Sequence, residues 1–222
     1  MQKFLRYSTA MFFAALLVFG IASTNAQSVN DELFAFHEGD LWAWMPGESP
    51  EQLTTWGYNG GPIISPDGSQ IAYRSVASEA VAEIEGAGQG ITYAGDAPSN
   101  IYIMQVSTRN FERIAAQSAI RVFRSSPVWS PDGTRLAWSE MRGDYLPSAD
   151  VVIYDTRDGS TRTVASIEMG YGDGGLVMPI LQWGDGGIAR LLYTFDRVGE
   201  GGQLSPSLYW DIVDPDQGTS LR

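Results

Sequence analysis

The 222-residue sequence has no cysteine, one histidine (His37) and one lysine, Lys3, near its start. Without cysteine there is no disulfide, thiol nucleophile, thiolate metal site or lipidated N-terminal cysteine. A single histidine excludes two-histidine metal sites. A Ser-His-Asp triad would have to run through His37. Phe36-His37-Glu38-Gly39 instead reads as a turn between two strands, where a solvent-exposed histidine is expected. Past the first residues no lysine remains for Schiff-base chemistry.

Long hydrophobic runs are equally scarce. The one from Ala10 to Ala22 follows Lys3 and Arg6 and is 13 residues long, where a spanning helix needs about 20. It reads as the core of a secretory signal over residues 1–26, with Thr24 and Ala26 placed for cleavage before Gln27. Cleavage after Ala22 and an uncleaved anchor are the competing readings. Removing the leader leaves residues 27–222 as one domain, enough for a real core. It also takes away Lys3 and Arg6 and no acid, so the formal charge moves from −12 to −14. Such a surface repels phosphate backbones, and no nucleic-acid partner is expected. A periplasmic or secreted chain with no stable membrane insertion after cleavage is expected.

What the sequence does contain is turns at regular intervals. Pro62-Ile-Ile-Ser65-Pro66-Asp67-Gly68-Ser-Gln-Ile71-Ala72-Tyr73 returns as Pro127-Val-Trp-Ser130-Pro131-Asp132-Gly133-Thr-Arg-Leu136-Ala137-Trp138, a shift of 65 from Pro66 to Pro131. Proline presets φ, aspartate bonds nearby backbone N–H groups and glycine takes the left-handed conformation, so each copy reads as strand, tight turn, strand. Ser65, Pro66, Asp67, Gly68, Ser130, Pro131, Asp132 and Gly133 are therefore structural turn residues. Beyond each turn a bulky face (Ile71, Tyr73; Leu136, Trp138) alternates with a small one (Ala72; Ala137), so both faces of the strand are covered.

Around these copies the chain falls into four units, about 32–56, 60–116, 124–166 and 176–222, the first lacking its leading strand. An insertion over about 77–98 interrupts the second, with a weak helix expected from Ser78 to Glu85. Long, irregular and acidic, it is the best candidate for a functional loop. Units of about 45–50 residues suit four-stranded propeller blades. The fold class is all-β and propeller-like, with about four blades of antiparallel strands. A closed four-bladed ring, an open arc completed by a partner and a truncated product are the alternatives, the arc favoured.

The two Ser-Pro-Asp-Gly windows resemble the TolB-type β-propeller repeat, and also the propeller of prolyl-oligopeptidase and dipeptidyl-peptidase-IV relatives. The resemblance implies a propeller and turn positions with a structural role. It departs from the family in two respects: the leader runs straight into strands, and there is no Gly-x-Ser-x-Gly elbow of an α/β-hydrolase. Catalytic, cofactor and metal residues are accordingly read as none. Asp214, Asp216 and Gly218 resemble a calcium loop, but the glycine is one position early and a turn is the better reading. The Gly-Asp-Gly-Gly runs at 172–175 and 184–187 are read as hairpin turns, not phosphate cradles. Trp42, Trp44, Trp129, Trp138, Trp183 and Trp210 are expected in the core. The function expected is an exported, non-catalytic module binding a protein or other macromolecular partner. A substrate-gating propeller of a serine peptidase and a carbohydrate-active enzyme using paired carboxylates are the alternatives. Exposed end blades would invite self-association.

Overall fold

Strands that are apolar on both faces need a neighbour on each side, and that requirement organises the molecule. A computed structural model describes residues 32–86, 97–118, 121–142, 148–168, 178–198, 203–218 and 220–221. The expected signal segment lies outside them.

Four antiparallel sheets follow one another along the chain. The first contains β1 (Leu33–His37), β2 (Asp40–Trp44) and β3 (Glu51–Gln52). The second is β4 (Asn59–Ile64), β5 (Gln70–Val76), β6 (Ser99–Gln105) and β7 (Phe111–Ala115). In the third, β8 (Val122–Arg124) and β9 (Val128–Trp129) share one edge of β10 (Arg135–Arg142), followed by β11 (Ser148–Asp155) and β12 (Thr161–Glu168). The fourth is β13 (Ile180–Gly184), β14 (Gly187–Val198), β15 (Gln203–Val213) and β16 (Ser220–Leu221).

Each pair of successive sheets encloses its own apolar core. Between the first and second lie Leu41, Ile71 and Met104, with Phe34, Phe36 and Leu53 packed on them. Between the second and third, Ala72, Ile101 and Ile103 meet Trp129, Leu136, Trp138 and Val152. Between the third and fourth, Ala137, Val151 and Ile153 meet Leu181, Ile188 and Val213. Ile71 and Ala72 thus face opposite neighbours, as do Leu136 and Ala137. The fold is all-β and propeller-like with an open array of sheets.

Local chemistry sets the connections. Glu38 and Gly39 both have positive φ, 51° and 78°, and form a two-residue turn whose twist suits a hairpin. The strands therefore run on to His37 and start again at Asp40, two residues closer together than the sequence pattern indicates. The helix expected in the insertion is present as α1 (Ser78–Gly86). Ala80 and Val81 bury against Val76, Ala77 and Ala97 at the end of the second sheet. Residues 87–96 of the insertion are outside the described part.

Candidate functional site

The two Ser-Pro-Asp-Gly turns are built identically. In the first, the Ser65 hydroxyl donates to Asp67 Oδ1 at 2.6 Å, and the Ser69 N–H donates to the same oxygen at 3.0 Å. Gln70 N–H donates back to Ser65 Oγ at 3.0 Å, and Gly68 N–H closes the turn on the Ser65 carbonyl at 2.8 Å. In the second, Ser130 donates to Asp132 at 2.6 Å, Thr134 N–H at 3.0 Å, and Gly133 N–H reaches the Ser130 carbonyl at 2.9 Å. Gly68 and Gly133 sit at φ 75° and 71°, and a Cβ on Gly133 would lie 3.3 Å from Pro66 Cδ, so the two turns touch. The Ser130 hydroxyl, and after it the Thr134 N–H, hold the Asp132 carboxyl down at about 2. Ser65 and the Ser69 N–H lower Asp67 in the same way. Oxygens engaged in this manner stabilise turns and are poorly placed to accept a substrate proton.

Two buried ion pairs have no counterpart in the sequence reading. Between the second and third sheets, Arg124 donates through Nε to Glu140 Oε2 at 2.8 Å, and to the carbonyls of Ser99 and Ala116 at 2.5 and 2.9 Å. Trp138 Nε1 donates to the same Glu140 oxygen at 3.1 Å, and the Arg142 guanidinium also reaches Glu140. Burial pulls Arg124 below the usual guanidinium range, against the pull of Glu140. In the fourth sheet, Arg190 and Asp211 face each other across β14 and β15 with a bidentate pair at 2.9 and 2.5 Å. The available signal was phase: Glu140 follows Leu136 and Trp138 at a spacing of two, on a face already marked as buried.

Arginines also fasten neighbouring sheets. Arg109 pairs with Glu32 and lies 5.2 Å above the Phe34 ring, joining the second sheet to the first. Arg135 donates to Asp216 at 2.7 Å and stands 5.1 Å over Trp183, and Arg162 donates to the Pro215 carbonyl at 2.5 Å. These two, with Asp155 and Arg157, line a small polar cleft between the third and fourth sheets. Asp155 and Arg157 are paired with each other, so the cleft reads as a charged clamp.

The remaining sequence candidates fall in turns. His37 is the exposed last residue of β1, edge-on to Trp42 at 6.3 Å. Asp214 Oδ1 accepts the N–H groups of Asp216 and Gln217 at 2.8 and 2.9 Å, an Asx turn. The 184–187 run is the β13–β14 hairpin, and the 172–175 run lies outside the described residues. Among the described residues no group of three or more His, Cys, Asp or Glu could hold a metal ion. None of their helices is long and apolar enough to cross a membrane.

One expectation is corrected. Trp129 and Trp138 are buried and Trp183 packs half-buried against the core of the third and fourth sheets, but Trp42 and Trp44 are half-buried outside the three inter-sheet cores, and Trp210 is 63% exposed. Its neighbours on the outer face of the fourth sheet, Ile180 at 64% and Leu208 at 62%, are equally open, and Ile212 lies beside them. The outer face of the fourth sheet is therefore apolar and open at these positions, where a solvated sheet face is ordinarily polar.

No protein-family model matches the chain, and no curated protein matches it in sequence. Its structure is similar to that of Porphyromonas gingivalis dipeptidyl peptidase 4, at 9% identity and a TM-score of 0.55, over 86% of this chain and 30% of that one. It is also similar to the β-propeller domain of the Trilobed protease from Pyrococcus furiosus (16% identity, TM-score 0.48, 82% of this chain and 47% of that one). A further similar structure is the oligogalacturonate lyase of Vibrio parahaemolyticus (11%, 0.47, 82% and 58%). The chain spans less than a third of the peptidase and less than two thirds of the other two. The peptidase likeness bears on the fold alone and agrees with a propeller module.

Proposed function

We propose that this chain is an exported, non-catalytic propeller module of the TolB repeat type that binds a protein partner. The observation that carries the reading is the open apolar face of the fourth sheet, with Ile180, Leu208 and Trp210 each more than 60% exposed. Leaving three large side chains in water forgoes about 1.5–3 kcal/mol each, a cost that a partner covering them removes. Further support comes from the acidic side chains of the Ser-Pro-Asp-Gly turns, which are engaged in holding the backbone. The leader, with its two cations and short apolar run, supports export to the periplasm or beyond.

A photo-crosslinking side chain placed at position 210 of the chain expressed in its own cell tests this, with position 158, in a polar turn, as control. A discrete protein adduct at 210 and none at 158 is expected. No adduct at 210 would overturn the reading, as would a hydrolase activity abolished by one Asp or Glu substitution in the purified chain. An adduct containing an α/β-hydrolase would recast the module as a substrate-gating propeller.

A further inference from the structure

The three junctions between sheets obey one rule of direction. Every sheet has a backward face, toward the sheet before it, and a forward face, toward the sheet after it. On β5, Ile71 and Tyr73 point backward, where Tyr73 meets Phe36 at 6.0 Å, and Ala72 points forward. On β10, Leu136 and Trp138 point backward and Ala137 forward. On β14, Ile188 points backward into the third sheet, which turns Ala189 forward. Strand pairing carries the rule across each sheet. Ala72, Ala137 and Ala189 stand opposite Ile103, Ile153 and Ile212. Two residues along, Ile101, Val151 and Trp210 hold equivalent places. Ile101 and Val151 are fully buried under the next sheet, whereas Trp210 is 63% exposed.

At the other end of the array the complementary half is present. Phe34, Phe36 and Leu41 of the first sheet point forward into the second. Register therefore turns Leu33 and Ala35 backward, opposite Trp44 and Trp42. Leu33 is 56% exposed. Backward faces elsewhere are rich in aromatic side chains (Tyr73; Trp129 and Trp138; Trp183), and Trp42 and Trp44 continue that composition. The forward face of the fourth sheet and the backward face of the first are thus the two halves of one more junction. Charge agrees: in a chain of formal charge −12, the described strand residues of these two faces carry no exposed carboxylate. Asp40, the one acid on the backward face, is buried and accepts hydrogen bonds from Thr54, Gln52 and Asn59.

We infer that the partner is a second copy of this chain, the fourth sheet of each packing head to tail on the first sheet of the other. Two copies then close a ring of eight sheets, within the span of about 4–8 blades that propellers adopt. This names the occupant of the surface in the reading above and rests on that reading.

Sedimentation equilibrium of the exported chain is the test, and twice the chain mass is expected. Trp210→Glu and Leu33→Glu, one on each face, should each weaken self-association at least about thirtyfold, the loss of one hot-spot side chain. Mixing the two variants should restore a pair, because each retains the face that the other has lost. Leu208→Glu repeats the first test at a second exposed site, and Ile64→Glu, at an exposed position of the second sheet, should leave the mass unchanged. Circular dichroism of each variant confirms that it is folded. A single-chain mass at all concentrations would overturn the second copy as partner, and a crosslink from position 210 to another protein would still leave the binding reading standing. Undiminished association of Leu33→Glu would overturn the head-to-tail arrangement in favour of two fourth sheets meeting face to face.

Discussion

The third and fourth sheets share a strand plan and differ in company. Val151 and Ile153 of the third are closed off by the fourth, and their register equivalents Trp210 and Ile212 meet water. The residue types are alike, since both faces are apolar. What separates core from surface in this fold is therefore a neighbouring sheet and not the composition of the strand. An arrangement of this kind makes the cost of a substitution depend on position along the array more than on side-chain chemistry.

The largest expected effect tests that statement directly. Trp138→Ala should destabilise the chain by about 3–5 kcal/mol, as a large core side chain removed from a closed junction. Trp210→Ala, in dilute protein, should stay within about 0.5 kcal/mol. Urea unfolding of the two variants reads the contrast, and equal losses would show that the fourth sheet is covered as fully as the third.

Ion pairs should divide in the same way. Glu140→Ala leaves the buried Arg124 guanidinium without its carboxylate and is expected to cost about 3–5 kcal/mol. Asp216→Ala breaks the pair with Arg135, but Asp216 is 73% exposed, and the loss should stay below about 1 kcal/mol. Thermal or urea unfolding at low and high salt separates them, because only the exposed pair is screened. Between these two effects lies that of the β9–β10 turn of the third sheet, where Gly133→Ala places a side chain at φ 71° and should cost about 1–2 kcal/mol in the same unfolding assay.

The smallest effect is a pH dependence. The Asp132 carboxyl is held at about 2 by Ser130 and Thr134, below its ordinary 3.8, so its contribution is fully present above the unfolded value. It is lost as pH falls from the unfolded value toward the folded one. Because the group is largely solvated, less than about 1 kcal/mol is at stake. Asp132→Asn should flatten the urea midpoint between about pH 5 and pH 2 relative to the unaltered chain, and an unchanged slope would remove Asp132 from the account.

How far the sequence alone reveals this molecule depends on the range of the interaction. Ser-Pro-Asp-Gly, with its glycine at positive φ and its aspartate on its own backbone, is a local code, and the hairpins follow from it. The Ile71-Ala72-Tyr73 and Leu136-Ala137-Trp138 alternation is local too, and indicates burial on both sides. The α1 helix was legible as a weak local pattern from Ser78 to Glu85. Arg124 with Glu140, and Arg190 with Asp211, lie 16 and 21 positions apart and meet only through strand register, so nothing nearby announces them. Trp210 misled for the opposite reason. Its strand pattern is that of a covered face, and a pattern states the need for a neighbour without supplying one.

The contact between Pro66 and Gly133 has a consequence for how such a chain can grow. It joins the matching bends of consecutive leaves, which recur at a shift of 65 positions, and each junction draws its core from the two leaves it joins. A tandem duplication cut at matching points of those two bends would carry one complete leaf with both of its interfaces. The lengthened gene product would then need no compensating change elsewhere, and a genome can enlarge this architecture by copying alone.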